Sequence, residues 1–412
     1  MRHSGQSAVR VYAEHAHRVT ATFDADGRTR RSVVRRFGAC VDVHEPSGGV
    51  THRFADGDDL LACPPVPLAA AVVAECRRVQ ALPLADLTID AAAELRALAV
   101  TTGATITWGA AHRQVAAGDA GAVTHDDRLV RTVEVSISGG THVLRGAVSI
   151  EDLAVAVEHV RDRQAVPLLD RVPGGCDIVL PPGRAGAFFH ELVGHPMEAD
   201  VVASGTSYLG RRIGHRVAPD WFSVLDGGGV ADHGYRAAVD DEGTRCRTAT
   251  LVHSGVVGEP LTDLVSAAAR GTAPTGHGRR LDYRHMALPR MSHTCATVGD
   301  HAGATDSGGP AIEPLGLQLR LMSLSTGDFV FRARGPILRG DDGAVHRLPP
   351  LLLSGNGLTV LAALAPGPPG TAEYCRATGG CGKLGQFPLL VSFANAGLRL
   401  PAGTVGVKAA DG

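Results

Sequence analysis

The chain has 412 residues, of which 44% are hydrophobic and only 4% aromatic, so its cores must be packed largely with Ala, Val and Leu. Its 40 basic and 42 acidic residues nearly cancel, which argues against nucleic acid or an anionic membrane as a partner. The best candidate for a membrane span, residues 60–73, is interrupted by Pro65 and Pro67 well short of the required length.

Residues 1–6 have no apolar segment behind them, which predicts no secretory leader. Eight cysteines spread over so long a chain do not make a disulfide framework, and a reducing cytoplasm fits. Lysine is nearly absent, with Lys383 and Lys408 the only two among 40 basic residues.

In chain order, residues 7–55 read as strands joined by turns, with a turn at Asp24-Ala25-Asp26-Gly27. Residues 68–81 and 89–102 are Ala-rich and apolar at helical spacing, which predicts two helices. Residues 131–138 alternate as a strand with Val133, Val135 and Ile137 on one face, and Ser149 caps a helix over 150–164. Residues 167–175 read as a linker, and 176–180 as a strand entering the loop 181–184. Gly205 is a helix stop. The remainder reads as short strands with Gly-rich turns, among them 329–334, 359–363 and 389–393, and residues 365–370 as a flexible or polyproline-like loop. The expected class is α+β: an N-terminal strand and helix domain, 1–168, and a C-terminal β-rich domain, 169–412, carrying a metal-binding helix.

The chemistry centres on His190-Glu191-Leu192-Val193-Gly194-His195-Pro196. Two imidazoles and an adjacent carboxylate are the parts of a hydrolytic zinc site: zinc takes protein ligands and a water, and the carboxylate moves that water's proton. The usual spelling spaces the histidines four apart. Here they stand five apart, and on a regular helix they would point roughly 140° away from each other. Sharing a metal requires a helix locally widened or kinked, which Gly194 and Pro196 favour by weakening helix geometry around His195. For a third ligand, Glu198 and Asp200 would have to fold back along the same helix. Cys381, flanked by glycines in Gly380-Cys381-Gly382, is a softer donor, although a buried cysteine in a glycine turn explains the same pattern.

The stretch from His190 to Gly205, with Gly205-Thr206-Ser207, resembles the metal motif of the TldD/PmbA family of metalloproteases, in its TldD-like branch. Pro274-Thr275-Gly276-His277-Gly278-Arg279-Arg280, Pro289-Arg290-Met291-Ser292-His293-Thr294 and Gly380-Cys381-Gly382-Lys383-Leu384-Gly385-Gln386 are similar to three further motifs of that family, in the family's order. The resemblance implies a zinc-dependent peptidase acting on unfolded or short peptides, as in peptide maturation. Its ligands would be His190, His195 and Cys381, raising Cys381 above Cys375, and its general base Glu191. It also implies pairing with a homologue lacking the metal motif, or a homodimer. Departures are Pro196 where a small residue is usual, Ser292-His293 in place of a Thr-Asn type pair, an irregular region over 299–325, and a compressed N-terminal part.

Glu198 and Asp200 are candidates for orienting His195. Arg279, Arg280, Arg290 and His293 are candidates for contacting substrate or stabilising an oxyanion. His277, His285 and His301 are further histidines that could approach a metal. Two other readings stand beside the peptidase: a zinc amidase acting on a small molecule, and a non-catalytic partner with a structural zinc. Glu191 beside the first histidine disfavours the latter, because a structural site needs no base.

Overall fold

The computed structural model describes residues 8–45, 48–57, 69–89, 91–119, 122–137, 140–145, 149–227, 235–299, 309–369, 373–375 and 380–410. Six antiparallel strands build the N-terminal sheet: β1 (Ala8–Phe23), β2 (Thr29–His44), β3 (Val50–Asp56), β4 (Thr105–Asp119), β5 (Ala122–Ile137) and β6 (Gly140–Arg145), in the order β3-β2-β1-β4-β5-β6. The predicted turn between β1 and β2 forms because the Asp24 carboxylate accepts the backbone N–H groups of Asp26 (3.1 Å) and Arg28 (2.8 Å). Gly27 takes the positive φ of 76° that the turn requires.

Alternation along these strands gives the sheet two different faces. Val11, Ala13, Ala21 and Phe23 meet the helices α1 (Ala69–Ala81), α2 (Ala92–Thr102) and α3 (Ile150–Ala165), contacting Cys76 and Val79, Leu95 and Ala99, and Leu153 and Val157. The predicted cap of α3 is a reciprocal pair: the Ser149 hydroxyl accepts Asp152 N–H and the Asp152 carboxylate accepts Ser149 N–H. The opposite face carries Tyr12, Cys40 and Val115 and packs on Tyr283 from the C-terminal half.

That half is built from short strands. One six-stranded sheet contains Phe222–Asp226 beside His293–Val298, which in turn pairs in parallel with Ser392–Asn395. A second contains Asp177–Leu180 and Leu398–Leu400, and a four-stranded sheet contains Asp328–Arg334. The helical segment that begins at Gly186 runs through their shared core. Phe188 stacks on Phe329 and Phe331, and Phe189 on Phe222, with ring centroids 5.0–5.4 Å apart. The fold class is α+β, and among the described residues no helix is long and apolar enough to cross a membrane.

Several expectations change. Residues 359–363 are not a strand but part of a helix, Gly357–Ala363, because Asn356 caps Leu358 N–H at 3.1 Å and Gly357, Val360 and Leu361 bury at helical spacing. Residues 389–393 do not form one strand; the stretch is split between Gln386–Leu389 and Ser392–Asn395, which belong to different sheets. Arg279 captures the Leu390 carbonyl in the gap, at 2.6 Å. The stretch 167–175 is tied down, with Leu169 N–H donating to Arg347 O at 2.9 Å. Ala365–Pro366 pairs with Leu398–Leu400, and the irregular region 299–325 contains the strands Ala311–Glu313 and Gly316–Met322. Residues 60–68, 300–308 with His301, and 370 lie outside the described residues.

The two halves meet through buried charge. Arg280 donates from Nη2 to Asp42 Oδ2 at 2.8 Å, and Arg128 from Nη1 to Asp241 Oδ1 at 2.5 Å. At the same seam Gly243, at φ 81°, leaves no room for a Cβ, which would stand 2.6 Å from Ala117 O. Burial alone would raise the Asp42 carboxyl, but the Arg280 guanidinium and the His52 hydrogen bond outweigh it and hold the group at about 2. Its unfolded value is ~3.9, so this stabilisation is complete above that value and disappears as pH falls toward 2. The stability gap between wild type and Asp42→Asn, read from urea midpoints, should therefore narrow between pH 5 and pH 3. A constant gap would show that the ion pair does not contribute as described.

Candidate metal centre

The stretch around the two histidines abandons regular α geometry, as their spacing demands. Gly186–Phe189 is α-helical, His190–Gly194 forms a π turn, His195–Met197 a 3₁₀ turn, and Ala199–Ala203 resumes the α-helix. The defining bond runs from His195 N–H to His190 O, five residues back. Pro196 has no N–H to offer Leu192 O, its partner in a regular helix. The Tyr208 hydroxyl takes that carbonyl instead, at 2.5 Å. Gly194 lets Met291 approach, since a Cβ there would stand 3.0 Å from Met291 Cγ. One detail departs from expectation: His195 itself keeps helical angles, φ −58° and ψ −43°, and the backbone turns extended only at Glu198.

This widening sets the two imidazole rings side by side, with centroids 5.0 Å apart. Cys381 arrives on the hairpin Cys381–Lys383/Gln386–Leu389, its Sγ 3.2 Å from His195 Nε2. The ligand atoms of His190, His195 and Cys381 all lie within 4.8 Å of one another. Glu191 lies on the same turn, half-buried, with Oε2 3.8 Å from His195 Nε2.

Each imidazole is held by its other nitrogen. The Thr294 hydroxyl donates to Asp226 Oδ2 at 2.7 Å, so it accepts from His190 Nδ1–H at 3.0 Å. That arrangement aims the unprotonated His190 Nε2 inward, and this buried atom has no hydrogen-bond partner among the described residues. His195 Nδ1–H donates to Glu198 Oε2 at 3.1 Å. The buried Glu198 carboxylate also accepts from Lys383 Nζ at 3.0 Å, and Lys383 reaches Asp200 Oδ1 at 2.7 Å and Pro289 O at 3.1 Å. Two lone-pair nitrogens and a sulfur converging on one point, with an orphaned buried nitrogen among them, fit a divalent transition metal.

The electrostatics couple Cys381, His195 and Glu198. Burial alone would push the Cys381 thiol up, but the His195 and His190 imidazoles outweigh it and hold it well below the usual thiol value. Burial would push His195 down, while Cys381, Glu198 and Glu191 together hold it well up. Burial would raise Glu198, and His195, Lys383 and Arg290 bring it below the ordinary carboxylate value. A low Cys381 and a high His195 together describe a thiolate–imidazolium pair, whose shared proton a metal ion would replace.

The other residues singled out in the sequence go to different places. Arg290 is fully buried and donates from Nη2 to Cys381 Sγ at 3.1 Å, which leaves it no face for a substrate. Arg280 is fully buried at the seam with the N-terminal sheet and stacks over Tyr12, so substrate contact is replaced by a structural role. Arg279 is buried beneath Tyr235 and binds the carbonyls of Met291 and Leu390. His293 is buried, with Nδ1 2.7 Å from Ser392 Oγ. His277 approaches Asp226 Oδ1 at 3.3 Å, behind Thr294, and His285 binds Asp282 Oδ1 at 2.8 Å. The side chain of Cys375 lies outside the described residues.

Asp226 and Thr294 escaped sequence reasoning. They are 68 residues apart and become neighbours only as cross-strand partners. The sole available signal was the similarity of 289–294 to a family motif.

A buried His/His/Cys cluster with an adjacent carboxylate, on an α+β scaffold, is an arrangement that can hold a metal ion. Residues 173–367, a little under half of the chain, match the family described as PmbA/TldA metallopeptidase C-terminal domain, so this part of the chain is similar to the TldD/PmbA family. The match includes His190, Glu191 and His195 and ends before Cys381.

Among relatives, a metalloprotease TldD homolog of Buchnera aphidicola is 28% identical over 222 residues, 53% of this chain and 44% of that protein. A zinc metalloprotease TldD homolog of Saccharolobus solfataricus is 34% identical over 129 residues, 31% of this chain and 28% of that protein. The chain thus spans about half the length, or less, of these curated relatives. The crystal structure of TldE from Thermococcus kodakarensis shares the fold, with TM-score 0.67, 12% identity, and coverage of 97% of this chain and 96% of that one.

Removing the hydroxyl in Thr294→Val should cost roughly 10–100-fold in metal affinity, as loss of such outer hydrogen bonds typically does. Competition against a chromogenic chelator measures this. Unchanged affinity would mean that Thr294 does not orient His190.

Proposed function

We propose that this chain is a zinc-dependent peptidase that hydrolyses amide bonds in unfolded or short peptides. His190, His195 and Cys381 hold the metal and Glu191 is the general base. The observation that carries this reading is the convergence of those three donor atoms within 4.8 Å, with the Glu191 carboxylate beside them. Bound zinc would polarise the scissile carbonyl and acidify a water.

The chain's own residues do the rest. Glu191 accepts the water's proton on a carboxylate oxygen and hands it to the departing amine, which must leave protonated. The Thr294 and Glu198 hydrogen bonds keep both imidazoles in the tautomer that presents Nε2. Burial of the donors excludes bulk water from behind them, while Glu191 remains partly open, with 19% of its side chain exposed. That difference in exposure supports a catalytic centre over a structural one, which would be closed on all sides and would need no base.

The family resemblance supports assembly with a homologue that lacks the metal motif, or with a second copy, in the cytoplasm. Native mass measurement with and without such a homologue tests this. A chain that stays monomeric in both conditions would end it.

Glu191→Gln should retain zinc and lose on the order of 10²–10⁴-fold in kcat on an unfolded peptide. Metal content and peptide cleavage are measured on the same preparation. A variant that holds zinc and cleaves at the wild-type rate would overturn the role of Glu191. Hydrolysis confined to small acylated amines would replace the peptidase with an amidase.

A further inference from the structure

Arg290 is among the largest fully buried side chains, with no solvent exposure. A guanidinium carries five donors and cannot lose its charge. Its Nη2 donates to Cys381 Sγ at 3.1 Å and its Nε stands 3.7 Å from Glu198 Oε1, while Nε and Nη1 have no hydrogen-bond partner among the described residues. Its backbone N–H donates to His277 O at 3.0 Å, which anchors the residue on the strand Leu288–Pro289 side of the centre.

Burying this cation costs several kcal/mol unless anions face it. A neutral thiol is a weak acceptor and would leave the cost unmet, whereas a thiolate accepts a charge-assisted bond. Packing alone would be served at lower cost by an apolar side chain of similar volume. Nor can a fully buried guanidinium meet a peptide.

We propose that Arg290 is a positioning residue for the metal centre: it donates a hydrogen bond to the ligand sulfur of Cys381 and braces Glu198, the carboxylate that orients His195. This rests on the reading that Cys381 is a metal ligand. One cation thereby joins two ligands that are 186 residues apart, one directly and one through its carboxylate partner. A hydrogen bond to a ligand thiolate draws electron density from sulfur and weakens its donation to the metal, leaving the ion a stronger acid toward substrate. Arg290 also offsets the negative charge that Cys381, Glu191 and Glu198 bring to one small volume.

Cobalt(II) loading of the full chain provides the test, because the sulfur-to-cobalt charge-transfer absorption reads the electron density on sulfur independently of catalysis. In Arg290→Met, whose volume is similar and whose charge is gone, the band should move to longer wavelength. Arg290→Lys keeps the charge but loses the planar fork, and its band should lie between wild type and Met. Arg290→Met or Arg290→Lys that binds cobalt with the band unmoved would overturn the proposal. If the Met variant does not fold, the Lys variant alone decides between a shifted and an unshifted band. A wild-type protein that binds cobalt with no sulfur band fails at the earlier step, because Cys381 is then not a ligand.

Discussion

The bond from His195 N–H back to His190 O is the constraint on which the rest of the centre depends. An ordinary helical turn would send the two imidazoles to different sides of the helix. One extra residue in the ring brings them to the same side, and the local sequence makes that ring affordable. Pro196 withholds the N–H that would have closed a regular turn, and Tyr208 satisfies the carbonyl left over. Aromatic packing of Phe188 and Phe189 on either flank fixes how the widened turn faces the sheets.

Around that turn the protein builds two different supports. His190 is held by a neutral hydroxyl backed by a buried carboxylate, Thr294 and Asp226, which arrive on neighbouring strands. His195 is held directly by a carboxylate, Glu198, neutralised by Lys383 from the hairpin that also carries Cys381. The hairpin is therefore anchored to the helix by a salt bridge as well as by the sulfur. The weak composition signal at Lys383, one of two lysines in the chain, has this physical counterpart: a compact ammonium reaches two carboxylates and a carbonyl from one point.

Much of the fold was legible where local chemistry dominates. β1, β2 and the second half of β5 announce themselves by alternation, the β1–β2 turn by its aspartates and glycine, and α3 by Ser149, whereas β4 escaped sequence reasoning. Legibility failed where tertiary contacts override a short pattern. Residues 359–363 form a short apolar run that reads as a strand, yet the Asn356 cap and the burial of Val360 and Leu361 make them helical. Residues 389–393 look continuous but are shared between two sheets. Arginine in a glycine-rich loop resembles a substrate contact. Arg279, Arg280 and Arg290 are instead buried, each matched to carbonyls, carboxylates or a sulfur from distant segments.

By itself, the sequence determined the chemical inventory and its local geometry: a five-residue histidine spacing that demands a widened helix, an acid beside the first histidine, and glycines that let Cys381 bend close. These follow from steric and hydrogen-bonding rules that act within a few residues. Only the tertiary structure decided which side chains meet. The approach of Cys381 to His195, the Asp226–Thr294 support and the burial of Arg290 against sulfur join segments tens to hundreds of residues apart. They depend on strand order and on the balance of buried charge, and no local pattern in a single chain encodes either one.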